Sequence, residues 1–398
     1  MSSSRYADED VSLADDLTRP RCAPNPLIPT QNPMPAADSS HHTQEGLELE
    51  DSVEEHGEAG GQEEEEVVVA VDGAGGGPEF DRLSIDVESD EGDEISSMRS
   101  LRSGDFAFEE ENGRTYHRFS KGKYILPNDV VEQDRLGLVH ELWKETWTDR
   151  LCLCPKRKGA QRVLDVGTGT GVWAIAYADE HPEATIIGAD LSPIQPRTAS
   201  VPSTCMFEVE DLETEWQYKT PFDFIFVRHM NSCFASWENM LEQAFQHLEP
   251  GGYIELHDNS FPILCPDDSM PETSAIARWS TLLMEGTRRL GRPIDMPSRF
   301  KSMLEDAGFE AVVEHKRVWP TSPWPADYKL RKLGVWVQAN TLAGLEASML
   351  AVFTRVLGWT VEATTEFCDE VRAEILDTKV HAYWNVHCVY GRKPLWAT

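Results

Sequence analysis

An α/β fold on a doubly wound sheet is predicted by three observations. One strand runs straight into a glycine-rich turn and a helix, a second ends in an acid, and strands then alternate with helical segments towards the C-terminus. Residues 162–166, Arg-Val-Leu-Asp-Val, read as a buried strand. Gly167-Thr168-Gly169-Thr170-Gly171 follows at once, and residues 172–181 read as a helix stopped by Pro182. Glycines let the chain bend tightly and let a ligand approach without meeting a Cβ. Dinucleotide folds space their glycines G-x-G-x-x-G, whereas this loop reads D-x-G-x-G-x-G. An acid two residues before the first glycine repels a pyrophosphate but suits a ligand bearing an ammonium group.

The remaining strands follow in order. Residues 184–190 end in Asp190, where an α/β sheet presents groups to a ribose. Residues 205–209 form a third strand, followed by Glu210 and Asp211. Residues 222–228 form a fourth, apolar except for Asp223 before it ends in Arg228, as suits a strand buried on both faces. Residues 248–256 hold a helix end, a Pro250-Gly251-Gly252 turn and a fifth strand. Ala307-Gly308-Phe309 leads into a strand over 311–318, and 386–390 make a final short one. Ahead of the first strand, Asp129 suits a helix N-cap with Glu132 as capping partner. Leu136, Val139, Leu142, Trp143, Thr146 and Trp147 then recur at helical spacing. A helical insert is expected at about 265–380, with helices over 272–290, 298–307, 328–357 and 361–378, and breaks at Gly334, Gly344 and Gly358. Trp279, Met284, Trp319, Trp324, Trp336 and Trp359 concentrate there. One or two of them are expected to line an acceptor pocket, the others to be core.

Charge is distributed unevenly. Residues 1–100 hold 26 Asp/Glu against 5 Lys/Arg, in a chain of net charge −33. That segment has too little apolar surface to offset its ordering entropy, so residues 1–111 are expected to be a disordered acidic tail and 112–150 a helical cap segment. Residues 151–398 then form the main domain. The apolar island at 67–71 is read as a stray patch. So acidic a tail disfavours nucleic acid and anionic membranes, and no direct nucleic-acid binding is expected. The N-terminus does not read as a signal peptide, and no apolar run approaches membrane-spanning length. The eight cysteines are scattered, which suits reduced thiols in a cytoplasmic or nuclear protein. Cys152-Leu153-Cys154 lacks a second pair or nearby histidines, so no metal site is expected. Lys156-Arg157-Lys158 is read as a solvated loop.

The order of DVGTGTG, GAD, EDLE, DFIFVR, LEPGGYIEL and AGF resembles the class I S-adenosylmethionine (SAM)-dependent methyltransferases. Gly122-Lys-Tyr-Ile-Leu-Pro-Asn-Asp129 and Gly188-Ala-Asp-Leu-Ser-Pro-Ile-Gln-Pro196 are narrower runs, similar to the fungal LaeA-like methyltransferases, some of which act in or regulate secondary metabolism. The resemblance spans residue 112 to the C-terminus. It implies a Rossmann-like seven-stranded sheet with the last strand antiparallel, and SAM as cofactor. In this reading Asp165 accepts from the methionine ammonium, while Gly167, Thr168, Gly169 and Gly171 shape the loop. Asp190, beside Leu191, takes both ribose hydroxyls. Asp211 accepts from the adenine amino group, with Leu212 offering a backbone donor. An N-terminal segment over the cofactor makes Tyr116 and Tyr124 candidates for lining the site. Arg228 adjoins the transferred methyl; it and His229 are candidates for orienting the acceptor, and His229 and His257 for the base. No Asn-Pro-Pro-Tyr or Asp-Pro-Pro-Tyr motif follows the fourth strand, which argues against the amino-methylating enzymes that rely on it.

The leading expectation is a methyltransferase acting on a small molecule in fungal secondary metabolism. The alternative is a LaeA-like nuclear regulator acting through protein partners, with protein or histone methylation. NAD-dependent oxidoreduction conflicts with the glycine spacing. A SAM-binding pseudoenzyme stays open, because methyl transfer needs no diagnostic catalytic group.

Overall fold

The computed structural model describes residues 108–196 and 200–397, so the expectations for 1–107, including the apolar island, lie outside the described residues. Residues Phe108–Glu111, assigned to the tail from sequence, instead form strand β1, paired antiparallel with β2 (Arg114–His117). Asn112 and Gly113 between them have φ of 51° and 74°, the left-handed pair that a two-residue hairpin turn requires.

Helix α1 (Val130–Thr146) starts where expected: the Asp129 side chain accepts from the Glu132 backbone N–H. Glu132 does not reach back to complete a capping box. It is buried and turns instead to Arg135, whose Nε lies 2.9 Å from Oε2. A buried carboxylate is stabilised more by a guanidinium than by one N–H.

The sheet comprises β3 (Arg162–Val166), β4 (Thr185–Asp190), β5 (Cys205–Val209), β6 (Phe222–Arg228), β7 (Leu248–Leu264), β8 (Glu310–Pro320) and β9 (Tyr383–Arg392). Its order is β5-β4-β3-β6-β7-β9-β8, parallel from β5 through β7, with β9 antiparallel to both neighbours. This is the seven-stranded, last-strand-antiparallel sheet that the resemblance implied. Order reverses between β4 and β6 across β3, so the carboxyl end of β3 opens the crevice where such sheets bind ligands.

Both faces are covered. On one, α2 (Val172–Glu180) lays Trp173 flat on Phe226, with ring centroids 3.9 Å apart. On the other, Trp237, Met240 and Leu241 of α3 (Trp237–His247) and Leu304 of α5 (Phe300–Asp306) pack against Leu164, Ile225 and Leu256. A third apolar cluster joins α1 to α4 (Ala275–Arg289), α6 (Tyr328–Arg355) and α7 (Val361–Leu376). These helices do not form one uninterrupted insert: α4 and α5 precede β8, while α6 and α7 follow it.

The breaks expected at Gly334 and Gly344 do not occur, because α6 runs through both. A Cβ on Gly334 would collide with the Ser322 backbone, and one on Gly344 would come within 2.9 Å of Arg135 Cδ. These glycines admit neighbours rather than stop the helix. Gly358, at φ 75°, does separate α6 from α7.

Candidate active site

The turn after β3 is held to β4 by bonds from the Gly167 and Thr168 N–H groups to Ala189 O, at 2.9 and 3.0 Å. Gly167, Gly169 and Gly171 all have positive φ, which a side chain would strain. A Cβ on Gly167 would strike Met230, the residue that crosses the loop from β6. A cavity of about 120 Å³ opens at this turn, lined among others by Asp165, Thr168, Asp190, Asp211 and Arg228.

Its carboxyl groups lie in different settings. Asp165 Oδ2 accepts from Thr168 Oγ1 at 2.7 Å, and burial pushes its pKa up to about 6. Asp190 Oδ2 accepts from the Gly169 N–H and Oδ1 from the Ser192 N–H, both at 2.9 Å. Burial raises it to about 6 as well. The Leu191 N–H also favours the charged form, and since each carboxylate oxygen can accept two bonds, acceptor capacity remains on Asp190. Gln195 Nε2 closes the loop from outside, donating to Gly169 O at 2.6 Å and Ser192 O at 2.9 Å.

Asp211 differs because the segment before α1 closes on it. Lys123 Nζ lies 2.5 Å and Ser120 Oγ 2.7 Å from its Oδ2, while the Glu213 N–H donates to Oδ1. Burial alone would raise this carboxyl, but Lys123 and Ser120 hold it below the usual carboxylate range. The same segment brings Tyr124 and Asn128 to the cavity wall.

Arg228 ends β6 with its guanidinium near the Phe226 ring and Nη2 3.1 Å from His140 Nδ1. Burial lowers it to about 10, so it remains charged. His140 is held neutral by burial and by Arg228, at about 3. His229 follows in a left-handed conformation, φ 60°, its N–H bonded to His257 O at 2.8 Å.

Beyond His229 lies a second cavity, of about 160 Å³. Phe261, Trp279, Trp319 and Trp384 line it, together with aliphatic side chains of α4 and α6. Tyr124 and His229 line both cavities and so form the wall between them. Trp279 and Trp319 are the two of the six insert candidates on this surface. Trp324 stacks on His381, while Met284, Trp336 and Trp359 pack into the helical core.

Asp165, Gly167, Thr168, Gly169, Asp190, Leu191, Asp211, Leu212, Arg228, His229 and Tyr124 thus converge on the first cavity. Three expected residues do not. Gly171 is off the lining; a Cβ there would meet the Phe207 ring, so it serves packing. Tyr116 packs under the Arg355 guanidinium, 4.8 Å from its ring centroid. His257 lines neither cavity. Its Nε2 meets Glu255 Oε1 at 2.5 Å, and Trp143, Trp147 and Phe226 surround the ring.

Glu255 also gathers Cys154 and, at 3.5 Å, Cys388. Its carboxylate is engaged by the Leu153 and Cys154 N–H groups and by His257, an anchor for the chain entering β3. Ser120, Lys123, Asn128, Ser192 and Gln195 are site residues that no spacing rule singled out. The last four fall inside the two narrower family runs, which was the available signal.

Comparison with known proteins agrees with this architecture. Residues 139–315 match the family described as "Methyltransferase domain". The chain is 36% identical over 314 residues to Methyltransferase pytC of Aspergillus terreus, covering 79% of this chain and 96% of that one. It is 34% identical over 266 residues to Probable methyltransferase tdiE of Emericella nidulans, covering 66% and 82%. It is 35% identical over 305 residues to Protein-methionine methyltransferase laeA of Emericella nidulans, covering 76% and 80%. The chain therefore belongs to the LaeA-like fungal family of class I methyltransferases. Among the described residues, no helix is long and apolar enough to cross a membrane.

Proposed function

We propose that the chain binds SAM in the glycine-loop cavity and transfers its methyl group to a small molecule held in the adjoining aromatic cavity. The observation that carries this reading is the pair of cavities meeting at Tyr124 and His229, one rimmed with carboxylates and the other with tryptophans. The donor set fits SAM: a buried carboxylate at Asp165 for the ammonium, Arg228 for the α-carboxylate, and free acceptor positions on Asp190 for the ribose hydroxyls. Asp211 and the Leu212 backbone are assigned to the adenine. The left-handed glycine turn supplies the close backbone approach that a Cβ would prevent.

SAM, when bound, supplies a methyl carbon on a positively charged sulfur. The chain orients the acceptor, excludes water and receives a proton, and positioning alone contributes several kcal/mol. Calorimetric titration with SAM tests the reading. Binding by the intact chain that Asp190→Ala loses supports it, and no binding by the intact chain overturns it.

A second reading is favoured by the relative named a protein-methionine methyltransferase: a regulatory enzyme with a protein acceptor, acting in the nucleus with partner proteins. The acidic N-terminal segment suits a basic partner. Methyl transfer to protein in a cell extract, rather than to extracted small molecules, would select it.

A further inference from the structure

We propose that the acceptor is a neutral, flat molecule methylated on a hydroxyl oxygen, and that Asp258 is the positioning residue that sets His229 to take the hydroxyl proton. This rests on the cofactor reading above and adds the acceptor's chemical class and a residue to it.

The geometry at the cavity junction carries the argument. His229 is fixed by its left-handed backbone, the bond to His257 O, and an edge contact with Trp143 at 6.4 Å between centroids. Its Nδ1 is buried and faces Asp258 Oδ1 at 3.8 Å, which leaves Nε2 as the nitrogen offered to the cavities. Asp258 is 1% exposed; its Oδ1 accepts from the Asn259 N–H at 2.9 Å. Its Oδ2 has no hydrogen-bond partner among the described residues. The Met230 and Asn231 N–H groups also favour its charged form, so the carboxyl holds the turn after β6 as well as facing the imidazole, and the oxygen left unsatisfied is costly when buried. Behind an imidazole it has a use: it selects the tautomer and balances the charge once the ring takes a proton.

The wall chemistry restricts the acceptor. Phe261, Trp279, Trp319 and Trp384 offer flat apolar surface. The only strongly charged group on that wall, Arg135, is already committed. Its Nε and Nη2 bond to Glu132, and its Nη1 bonds to Asn340 Oδ1 at 2.9 Å. A carboxylate or ammonium would be buried there without a partner, which disfavours charged acceptors. A neutral amine attacks through its lone pair and needs no base beforehand. A hydroxyl must lose its proton as it attacks, which is what a histidine–carboxyl pair at the junction serves.

The balance closes. The hydroxyl oxygen gives an electron pair to the methyl carbon, the C–S pair stays on sulfur, and the proton goes to His229 Nε2. The products are a methyl ether, a neutral thioether and an imidazolium beside the Asp258 carboxylate. Burial raises Asp258 to about 8, and burial with Arg135 and Arg228 lowers His229 to about 3. Below about pH 8 the proton sits on Asp258 and no negative charge lies beside the ring. Above it, the Asp258 carboxylate, 3.8 Å from Nδ1, favours the tautomer with hydrogen on Nδ1 and leaves Nε2 free to act as base. Facing the pair are Arg135 of α1, Arg228 of β6, Cys233 after β6 and His387, the register partner of Asp258 on β9.

The test uses the full chain saturated with S-adenosylhomocysteine and three probes of one shape: 2-naphthol, 2-naphthylamine and 2-naphthoate. Tighter binding of 2-naphthol, by about 10-fold, is expected. Its emission should shift to that of the naphtholate, because the excited hydroxyl passes its proton to a nearby base. Asp258→Asn and His229→Asn should lose that shift, and Asp258→Asn, at a residue that lines neither cavity, should keep its affinity for S-adenosylhomocysteine, which controls for folding. With SAM, 2-methoxynaphthalene should form with kcat rising through about pH 8. Asp258→Asn should lower kcat about 100-fold, flatten that rise and leave KM within about 2-fold. Equal binding of the amine or naphthoate, naphtholate emission surviving His229→Asn, or a pH profile unchanged by Asp258→Asn overturns the proposal. Binding of S-adenosylhomocysteine without 2-naphthol sinks this inference alone. No binding of S-adenosylhomocysteine sinks the cofactor reading and this one with it.

Discussion

The glycine-loop cavity takes its polar groups from short runs at strand ends: Asp165 to Thr170, Asp190 to Ser192 and Glu210 to Glu213. The aromatic cavity takes its wall from residues scattered between Tyr124 and Trp384, on α1, α4, α6 and four strands or their ends. In the first, backbone groups do much of the work, so one loop conformation creates the site. In the second, side chains meet only because helices pack, so the site depends on many distant contacts. The first should therefore fail through single polar changes, and the second through changes in packing.

The sharpest way to break the first cavity alone is Asp190→Ala. It removes two charge-assisted acceptors and should weaken SAM binding at least about 100-fold in calorimetry. Affinity should also fall as pH drops below about 6, where Asp165 and Asp190 take up protons and stop accepting from the ligand. Unchanged affinity in the variant would remove the ribose assignment.

The matching test on the second region is Gly334→Ala, which pushes a methyl into the Ser322 backbone. Backbone cannot swing aside as a side chain can, so a loss of about 2 kcal/mol is expected in chemical denaturation. Little or no loss would show that α6 can shift, and that the aromatic cavity is softer than its packing suggests.

A smaller effect should follow Lys123→Met, which releases the segment closing over Asp211. SAM affinity should fall about 5-fold. Because Lys123 helps hold the Asp211 carboxyl below its ordinary value of 3.8, this link is present above that pH and is lost as pH falls through the folded-state value. An acid-melting curve identical in the variant and the parent would mean that the ion pair is idle.

Deleting residues 1–100 is expected to change neither melting temperature nor SAM affinity, since their composition favours solvent over a core. A large fall in melting temperature would make that segment part of the fold.

Legibility follows the same division. That Asp165, Gly167, Gly169 and Asp190 meet at one cavity was readable because each lies within a few residues of a strand end, where spacing fixes direction. The N-cap at Asp129 was readable for the same reason. The hairpin at Asn112-Gly113 was also written in the sequence, although its acidic surroundings masked it. Gly334 and Gly344 misled because a glycine that breaks a helix and one that admits a neighbour look alike until the neighbour is known. His257 misled because a strand-end position does not show that Glu255, two residues back on the same face, takes its Nε2, or that Trp143 and Trp147, from a distant helix and its end, enclose its ring.

By itself, then, the sequence determined the class of sheet, the turn at its crevice and the carboxylates around it, all properties of local runs and their periodicity. Tertiary structure alone decided that Lys123 and Ser120 close on Asp211, that Asp258 lies behind His229, and that Trp384 joins Trp279 and Trp319. Those contacts join residues far apart in the chain, and their energies exist only once the helices and sheet have packed.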